Sequence, residues 1–302
     1  MAWACLATVY MVWGSTYLAI RVMVQTMPPL LAAGVRFGLA GAVFLAVLVA
    51  LGGHERVRLG RRELAGAALL GVLLPFGGNG LVTVAEQEVP SGLAALIIGS
   101  VPLWVVLLRG ASGDRPPAAT LAGVVLGFTG LALLVLPGDR PGDAPLWGVL
   151  VCIAASVSWA SGSFFSRRLP QPRDALASTA WQMLLGGAAM VAVGLAAGEA
   201  GEVHPAAFSS DSLIAFAYLV TVGSLLAFTA YNWLLGNVPI STVATYAYVN
   251  PVIAILLGWA ILSEEITFSV LMGATAIVIS VASVVRQEST EPAVASDGHS
   301  SR

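Results

Sequence analysis

Apolar residues run along this chain in long blocks, cut by charged or Pro/Gly-rich breaks. A helix needs about 20 mainly apolar residues to cross the hydrocarbon core of a bilayer. Ten blocks meet that length, at about 3–24, 30–52, 63–85, 91–109, 119–137, 146–165, 175–197, 212–235, 241–262 and 268–286. The opening stretch MAWACLATVYMVWGSTYLAI has neither the positive start nor the small-residue cleavage site of a signal peptide, so it counts as the first span. The closing stretch QESTEPAVASDGHSSR is polar, and residues 287–302 are expected to form a disordered tail. The pattern predicts an all-α polytopic membrane protein with ten transmembrane helices.

Composition agrees, with 58% hydrophobic and 10% charged residues and a mean hydropathy of +0.88. Soluble domains carry about 25% charged residues. Cys5 and Cys152 lie inside apolar runs, far from metal-ligand spacing, and suggest neither a disulfide framework nor a zinc site. Every basic residue is arginine, which excludes a P-loop lysine, and with it an ATP site in this chain, and also a lysine Schiff base. His54, His204 and His299 do not cluster, and the GGNG at 77–80 lacks the strand-turn-helix setting of a dinucleotide fingerprint. No cofactor, metal, nucleic-acid or enzyme signature emerges.

The arginines sort by side. The loops after even spans and the C-terminal tail carry Arg56, Arg58, Arg61, Arg62, Arg109, Arg115, Arg167, Arg168, Arg173, Arg286 and Arg302. The other side has Arg140, with Arg21 near the end of the first span. The positive-inside rule then places both termini in the cytoplasm of a cell (plasma or inner) membrane.

The chain also aligns with itself. At an offset of 146, Trp13 falls on Trp159, Ser15 on Ser161, Arg21 on Arg167, Leu39 on Leu185 and Gly41 on Gly187. The offset becomes 149 for Leu64 on Leu213, Pro90 on Pro239, Pro102 on Pro251 and Leu107 on Leu256, then 150 for Leu121 on Leu271 and Gly123 on Gly273. A unit of five spans is odd, so its copy enters the membrane upside down. Two inverted five-helix repeats follow, 1–140 and 141–286, and inverted repeats mark secondary transporters whose sites lie near the midplane.

WGSTYLAI in span 1, PPLLAAGVRF in span 2, GNGLVTVAE in span 3, VPSGLAALI in span 4, and YNWLLGNVPISTVATYAYVNPVIAILLGWAILSEE across spans 8 and 9 together resemble the EamA family of the drug/metabolite transporter superfamily. The resemblance covers nearly the whole chain. It implies a ten-helix permease with a central cavity between the halves, often an exporter of amino acids, other metabolites or drugs. One departure stands out: the first repeat has Gly113-Asp114 where a Gly-Glu pair is usual, while the second keeps Glu264-Glu265.

Polar residues inside the spans supply the candidate site. Pro102 and Pro251 lie mid-span in paired positions, and each would loosen the carbonyl four residues back, that of Ile98 or Ala247. Simple structural kinks are the plain alternative. Asn250 and Tyr246, four residues apart on one face, offer hydrogen bonds beside the loosened backbone, while Tyr248 points elsewhere. Trp13, Ser15, Trp159 and Ser161 sit near mid-membrane; of these Trp13, Ser15 and Trp159 join the expected substrate-binding set with Arg36, Asn79, Tyr246 and Asn250. Charge at bilayer depth is expensive, so Arg36 and Glu86 should each face a cavity or a counter-charge. Asn79, Thr83 and Glu86 form one helical stripe, with Glu86 as the candidate proton-coupling carboxylate or, more plainly, an interfacial end residue. Gly34-xxx-Gly38 and Gly123-xxx-Gly127 permit close helix contact, within the bundle or at a homodimer face.

These features predict a secondary-active transporter of small organic solutes, with the bilayer and a small-molecule substrate as its partners. A passive channel or membrane receptor is the alternative reading, and an intramembrane enzyme a distant third.

Overall fold

The computed structural model describes residues 1–114, 116–135, 143–166 and 168–290. Expectations for Arg115, Arg140, Arg167, Arg302, the tail from 291 and the junction of the repeats at 140/141 lie outside them. Among the described residues, ten helices are long and apolar enough to cross a membrane: α1 (Ala2–Met23), α2 (Pro29–Gly52), α3 (Arg61–Ala85), α4 (Ser91–Ala111), α5 (Ala118–Val135), α6 (Leu146–Ser166), α7 (Ala175–Ala196), α8 (Ser210–Asn237), α9 (Thr242–Leu262) and α10 (Phe268–Gln287). Each falls within about two residues of its expected span. The last helix continues to Thr290, so the first residues of the expected tail are helical.

Residues at the helix ends explain the boundaries. Pro28 and Pro90 cap the starts of α2 and α4, where a missing N–H leaves no intrahelical bond unmade. Gly198 (φ 90°) and Ser263 (φ 55°) end α7 and α9 in the left-handed conformation, and Gly53 ends α2 with a positive φ of 75°.

Contacts between loops establish the alternation of the spans. On one face, the distal face, Glu199 after α7 accepts hydrogen bonds from the N–H groups of Leu30 and Leu31 at the start of α2, at 3.1 and 2.8 Å. Glu264 after α9 likewise accepts from the N–H groups of Ser91 and Gly92 at the start of α4, at 2.7 and 3.1 Å. Arg21, ending α1, donates there to the Glu86 carbonyl. On the N-terminal face, Arg56 after α2 meets Asp174 before α7 at 2.5 Å, and the Trp181 indole donates to the Val57 carbonyl at 2.9 Å. The loops after α1, α3, α7 and α9 therefore share one face, and those after α2 and α6 share the opposite one, where α1 begins.

The two most extensive helix pairings, α2 with α7 and α5 with α10, join counterparts in the two repeats. A Cβ on Gly34 would come 2.8 Å from the Gly187 carbonyl, and one on Gly41 would come 2.7 Å from that of Ala180. At the offset of 146, Gly34 corresponds to Ala180 and Gly41 to Gly187. The two contacts exchange under that relation, as a two-fold axis between antiparallel helices requires, and the fold is consistent with an inverted repeat. The glycine pairs are used inside the bundle: Gly38 backs onto Gly187, and Gly127 lies against Leu103 and Ser280.

Three features of the backbone depart from a simple bundle. Segments Val72–Gly80 of α3 and Leu219–Leu226 of α8 are π-helical and overlap at the offset of 149. Span α4 is interrupted at Ser100, not at its proline, so that Pro102 falls in the first turn of a new half-helix, Val101–Ala111. In α9 the interruption is at Thr245, and the helix Tyr246–Leu262 runs on through Pro251. The expected kinks thus lie before the prolines and at different distances from them. Proline is tolerated in a first turn, where its absent N–H would have had no intrahelical partner.

Candidate functional site

A cavity of about 110 Å³ lies among the middle portions of α1, α2, α3, α4, α6, α8 and α9. A water needs roughly 10–15 Å³ of such space, so the cavity holds several waters or a small organic solute. Its position follows from the interruption of α4. The half before Ser100 packs on α1, α9 and α6, whereas the half after it stays with α6 and makes no comparable contact with α1 or α9. That divergence separates the helices toward the N-terminal face. On the distal face the same helices close tightly, with Glu86, Val89, Leu93 and Ala94 at 0–1% exposure.

Trp13, Arg36, Asn79, Trp159, Tyr246 and Asn250 all line this cavity, as do both prolines, Pro102 and Pro251. Trp13 anchors an aromatic group, with ring centroids 5.1 Å from Phe228, 5.0 Å from Tyr231 and 5.2 Å from Tyr246. Trp159 lies on the π-helical turn of α3, where a Cβ on Gly78 would come 2.3 Å from its ring. Ser158, beside it, donates to the Leu73 carbonyl at 2.8 Å and fastens α6 to that segment. Arg36 is 2% exposed; its Nε donates to Ser224 in the π-helical segment of α8 at 3.2 Å, and its guanidinium lies 4.6 Å from the Phe37 ring centroid.

Ser15, from the expected set, does not line the cavity. Its hydroxyl bonds the Val12 carbonyl at 2.9 Å and the Tyr218 hydroxyl at 2.6 Å, joining α1 to α8. A position two residues from Trp13 points about 200° around the helix from it, whereas Thr16, Tyr17 and Ile20 stay on Trp13's face and do line the cavity. The spacing i, i+3, i+4, i+7 from Trp13 carried that signal. Phe228 and the π-helical segments were also missed; Pro75, followed by Gly77 and Gly78 inside an apolar span, was the available clue in α3.

Glu86 is not among the residues that line the cavity. It lies beyond the closed distal end of the cavity, with both carboxylate oxygens buried and without a hydrogen-bonding partner. No ion pair joins it to Arg36 among the described residues. Thr83, between Asn79 and Glu86, bonds back to the Asn79 carbonyl at 2.8 Å. No cluster of three or more His, Cys, Asp or Glu side chains with metal-binding geometry occurs among the described residues.

Ten membrane-length helices among the described residues, seven of them lining a cavity to which both halves of the chain contribute, define a polytopic membrane protein. The sequence matches the EamA-like transporter family over residues 1–136 and again over 146–286, and the chain belongs to that family. It is 37% identical over 263 residues to the uncharacterized inner membrane transporter YedA of Escherichia coli K12, covering 87% of this chain and 83% of YedA. It is 25% identical over 277 residues to a probable amino-acid metabolite efflux pump of the same organism, covering 89% of each. A solved crystal structure with 22% identity, covering 95% of this chain and 98% of its own, shares the fold with a TM-score of 0.64. Family membership makes the protein a transporter of the drug/metabolite superfamily rather than an enzyme.

Proposed function

We propose that the protein is a secondary-active exporter in the inner membrane, with both termini cytoplasmic, moving small organic metabolites such as amino acids or amphiphilic drugs. Two inverted five-helix repeats, 1–140 and 141–286, alternate access to the midplane cavity. The observation that carries this reading is the unequal closure of that cavity: α4 splits at Ser100 toward the N-terminal face while the distal ends are fully packed. With the N-terminal face cytoplasmic, this is an inward-facing state. The names of YedA and of the efflux pump support the membrane and the direction.

Glu86 is the coupling group in this reading. It shares a helix stripe with Asn79 and Val82 and is sealed off in this state. Opening the distal side would bring it to water, where gaining or losing a proton biases the two conformations differently. Counterflow in proteoliposomes tests the proposal. Preloaded unlabelled substrate should accelerate uptake of labelled substrate, and a channel would show no such acceleration. Glu86→Gln should abolish proton-driven accumulation but keep exchange at equal pH; unchanged accumulation would leave Glu86 as a structural end residue.

A further inference from the structure

Spans α4 and α9 end alike, yet the acidic residue after one reaches across to a neighbouring helix and the acidic residue after the other does not. Ser263 (φ 55°) closes α9, and the N–H of Glu264 returns to the Gly258 carbonyl at 3.1 Å. Gly113 (φ 91°) closes α4, and the N–H of Asp114 returns to the Arg109 carbonyl at 3.2 Å. Gly258 and Arg109 stand 149 apart, the offset that relates Pro251 to Pro102. Backbone geometry and offset thus make Glu264 and Asp114 counterparts.

Their side chains do different things. On the distal face, Glu264 Oε1 accepts from the Ser91 N–H at 2.7 Å, and Oε2 accepts from the Ser91 hydroxyl at 3.0 Å and the Gly92 N–H at 3.1 Å. These bonds tie the end of α9 to the start of α4, where a carboxylate suits the exposed N–H groups and the helix dipole. The carboxylate lies over Gly258, where a Cβ would come 2.3 Å from Oε2. On the opposite face, the Asp114 Oδ2 turns back to Arg109 of its own span, 2.7 Å from Nε and 2.6 Å from Nη2. A long side chain therefore stands where Glu264 needs bare backbone. The faces differ in the same sense. Beside Glu264, Val89, Leu93 and Ala94 are fully packed, whereas the half of α4 that ends near Asp114 makes no comparable contact with α9.

We propose that Glu264 is the latch of a distal gate, a positioning residue for transport whose bonds to Ser91 and Gly92 must break before the cavity opens on that face. The inference rests on the alternating-access reading of the cavity. Packed helices switch between discrete arrangements, so a few bonds at one seam decide which arrangement prevails. Asp114 is the unmade counterpart, and its retention by Arg109 leaves the N-terminal side unlatched. Glu199 makes similar bonds to Leu30 and Leu31, but it joins α7 to α2, helices already packed closely together. It fastens a pair that moves as one and gates nothing.

The test uses purified full-length protein with Cys5 and Cys152 replaced by serine and a single new cysteine, Val89→Cys or Val101→Cys. Labelling by a water-soluble thiol reagent then reports opening on the distal or the N-terminal side. Glu264→Ala should speed labelling of Val89→Cys about tenfold or more, since one charge-assisted hydrogen bond corresponds to about a factor of ten. Labelling of Val101→Cys should slow. Gly258→Ala keeps the carboxylate but pushes it off its seat, and should act in the same direction. Glu199→Ala, the matched control, should lower the thermal transition and leave both labelling rates unchanged. Opposite changes at the two cysteines are not produced by damage to folding, which speeds both. Protection of Val89→Cys in Glu264→Ala and Gly258→Ala alike, or an equal gain in Glu199→Ala, would overturn the latch. Faster labelling at Val89→Cys without slowing at Val101→Cys, in variants that keep a cooperative thermal transition, would instead overturn alternating access and leave the latch standing.

Discussion

At the scale of single residues, the charged groups divide by what holds them. Asp174 caps α7, its Oδ1 accepting from the N–H groups of Leu176 and Ala177 at 2.9 and 3.1 Å, while its Oδ2 pairs with Arg56. Partial burial opposes ionisation, but the Arg56 hydrogen bond, the two backbone N–H groups and the Arg56 charge outweigh it, holding the Asp174 carboxyl below its ordinary pKa. A folded-state pKa below the unfolded one contributes stability that is complete above the unfolded value of about 3.9 and lost as pH falls through the folded value. Asp174→Ala should therefore cost about 1 kcal/mol near neutral pH, mostly from the lost cap. The melting difference between variant and wild type should shrink below about pH 4; a constant difference would show that the charge contributes nothing. Because Arg56 is 42% exposed, high salt should weaken only its share. The Glu86 carboxylate, by contrast, is buried without a hydrogen-bonding partner, and the Arg36 guanidinium meets Ser224 through Nε.

At the scale of elements, the breaks matter more than the helices. An α-helix satisfies its own backbone, so a span that departs from α geometry needs neighbours to compensate, and such departures collect where a cavity is built. The π-helical segment of α3 receives Trp159 on Gly78 and the Ser158 hydroxyl on the Leu73 carbonyl. In α8 the corresponding segment holds Arg36 through Ser224. Gly78→Ala should thus displace the Trp159 ring and cost about 1–3 kcal/mol by overpacking. Gly80→Ala, whose Cβ would meet Met190 at an ordinary 3.5 Å, is the matched control and should be tolerated. Comparing exchange rates and thermal unfolding of the two variants checks this. Equal behaviour would show that the contact between Trp159 and α3 does not shape the cavity.

At the scale of the whole molecule, antiparallel counterparts meet through backbone-close glycines, and the loops sort onto two faces. A reporter active only in the cytoplasm should be active after Arg286 and silent in the 198–211 loop, and the reverse would overturn the orientation. Cysteine accessibility offers a second check on the conformation. A single cysteine at Val101, on the half of α4 that leaves α1 and α9, should react with a water-soluble thiol reagent applied from the cytoplasmic side, while one at Val89 should be protected. Reaction at Val89 alone would mean that the cavity opens distally.

The sequence by itself determined the spans, pointed to a repeat with which the glycine contacts are consistent, and named the polar and indole side chains Trp13, Arg36, Asn79, Trp159 and Asn250 of the cavity wall. Apolar length, Pro/Gly breaks and paired offsets are local or self-referring signals that need no knowledge of packing. The tertiary structure decided the rest. The spacing from Trp13 separates the faces of Ser15 and Thr16, but only the packing of α1 against α8 gives Ser15 its partner in Tyr218. Glu86 follows the stripe of Asn79, but only the closure of the distal ends puts it beyond reach. The breaks at Ser100 and Thr245 fall where adjoining helices pull a span in two directions, whereas a proline marks only where a hydrogen bond is missing.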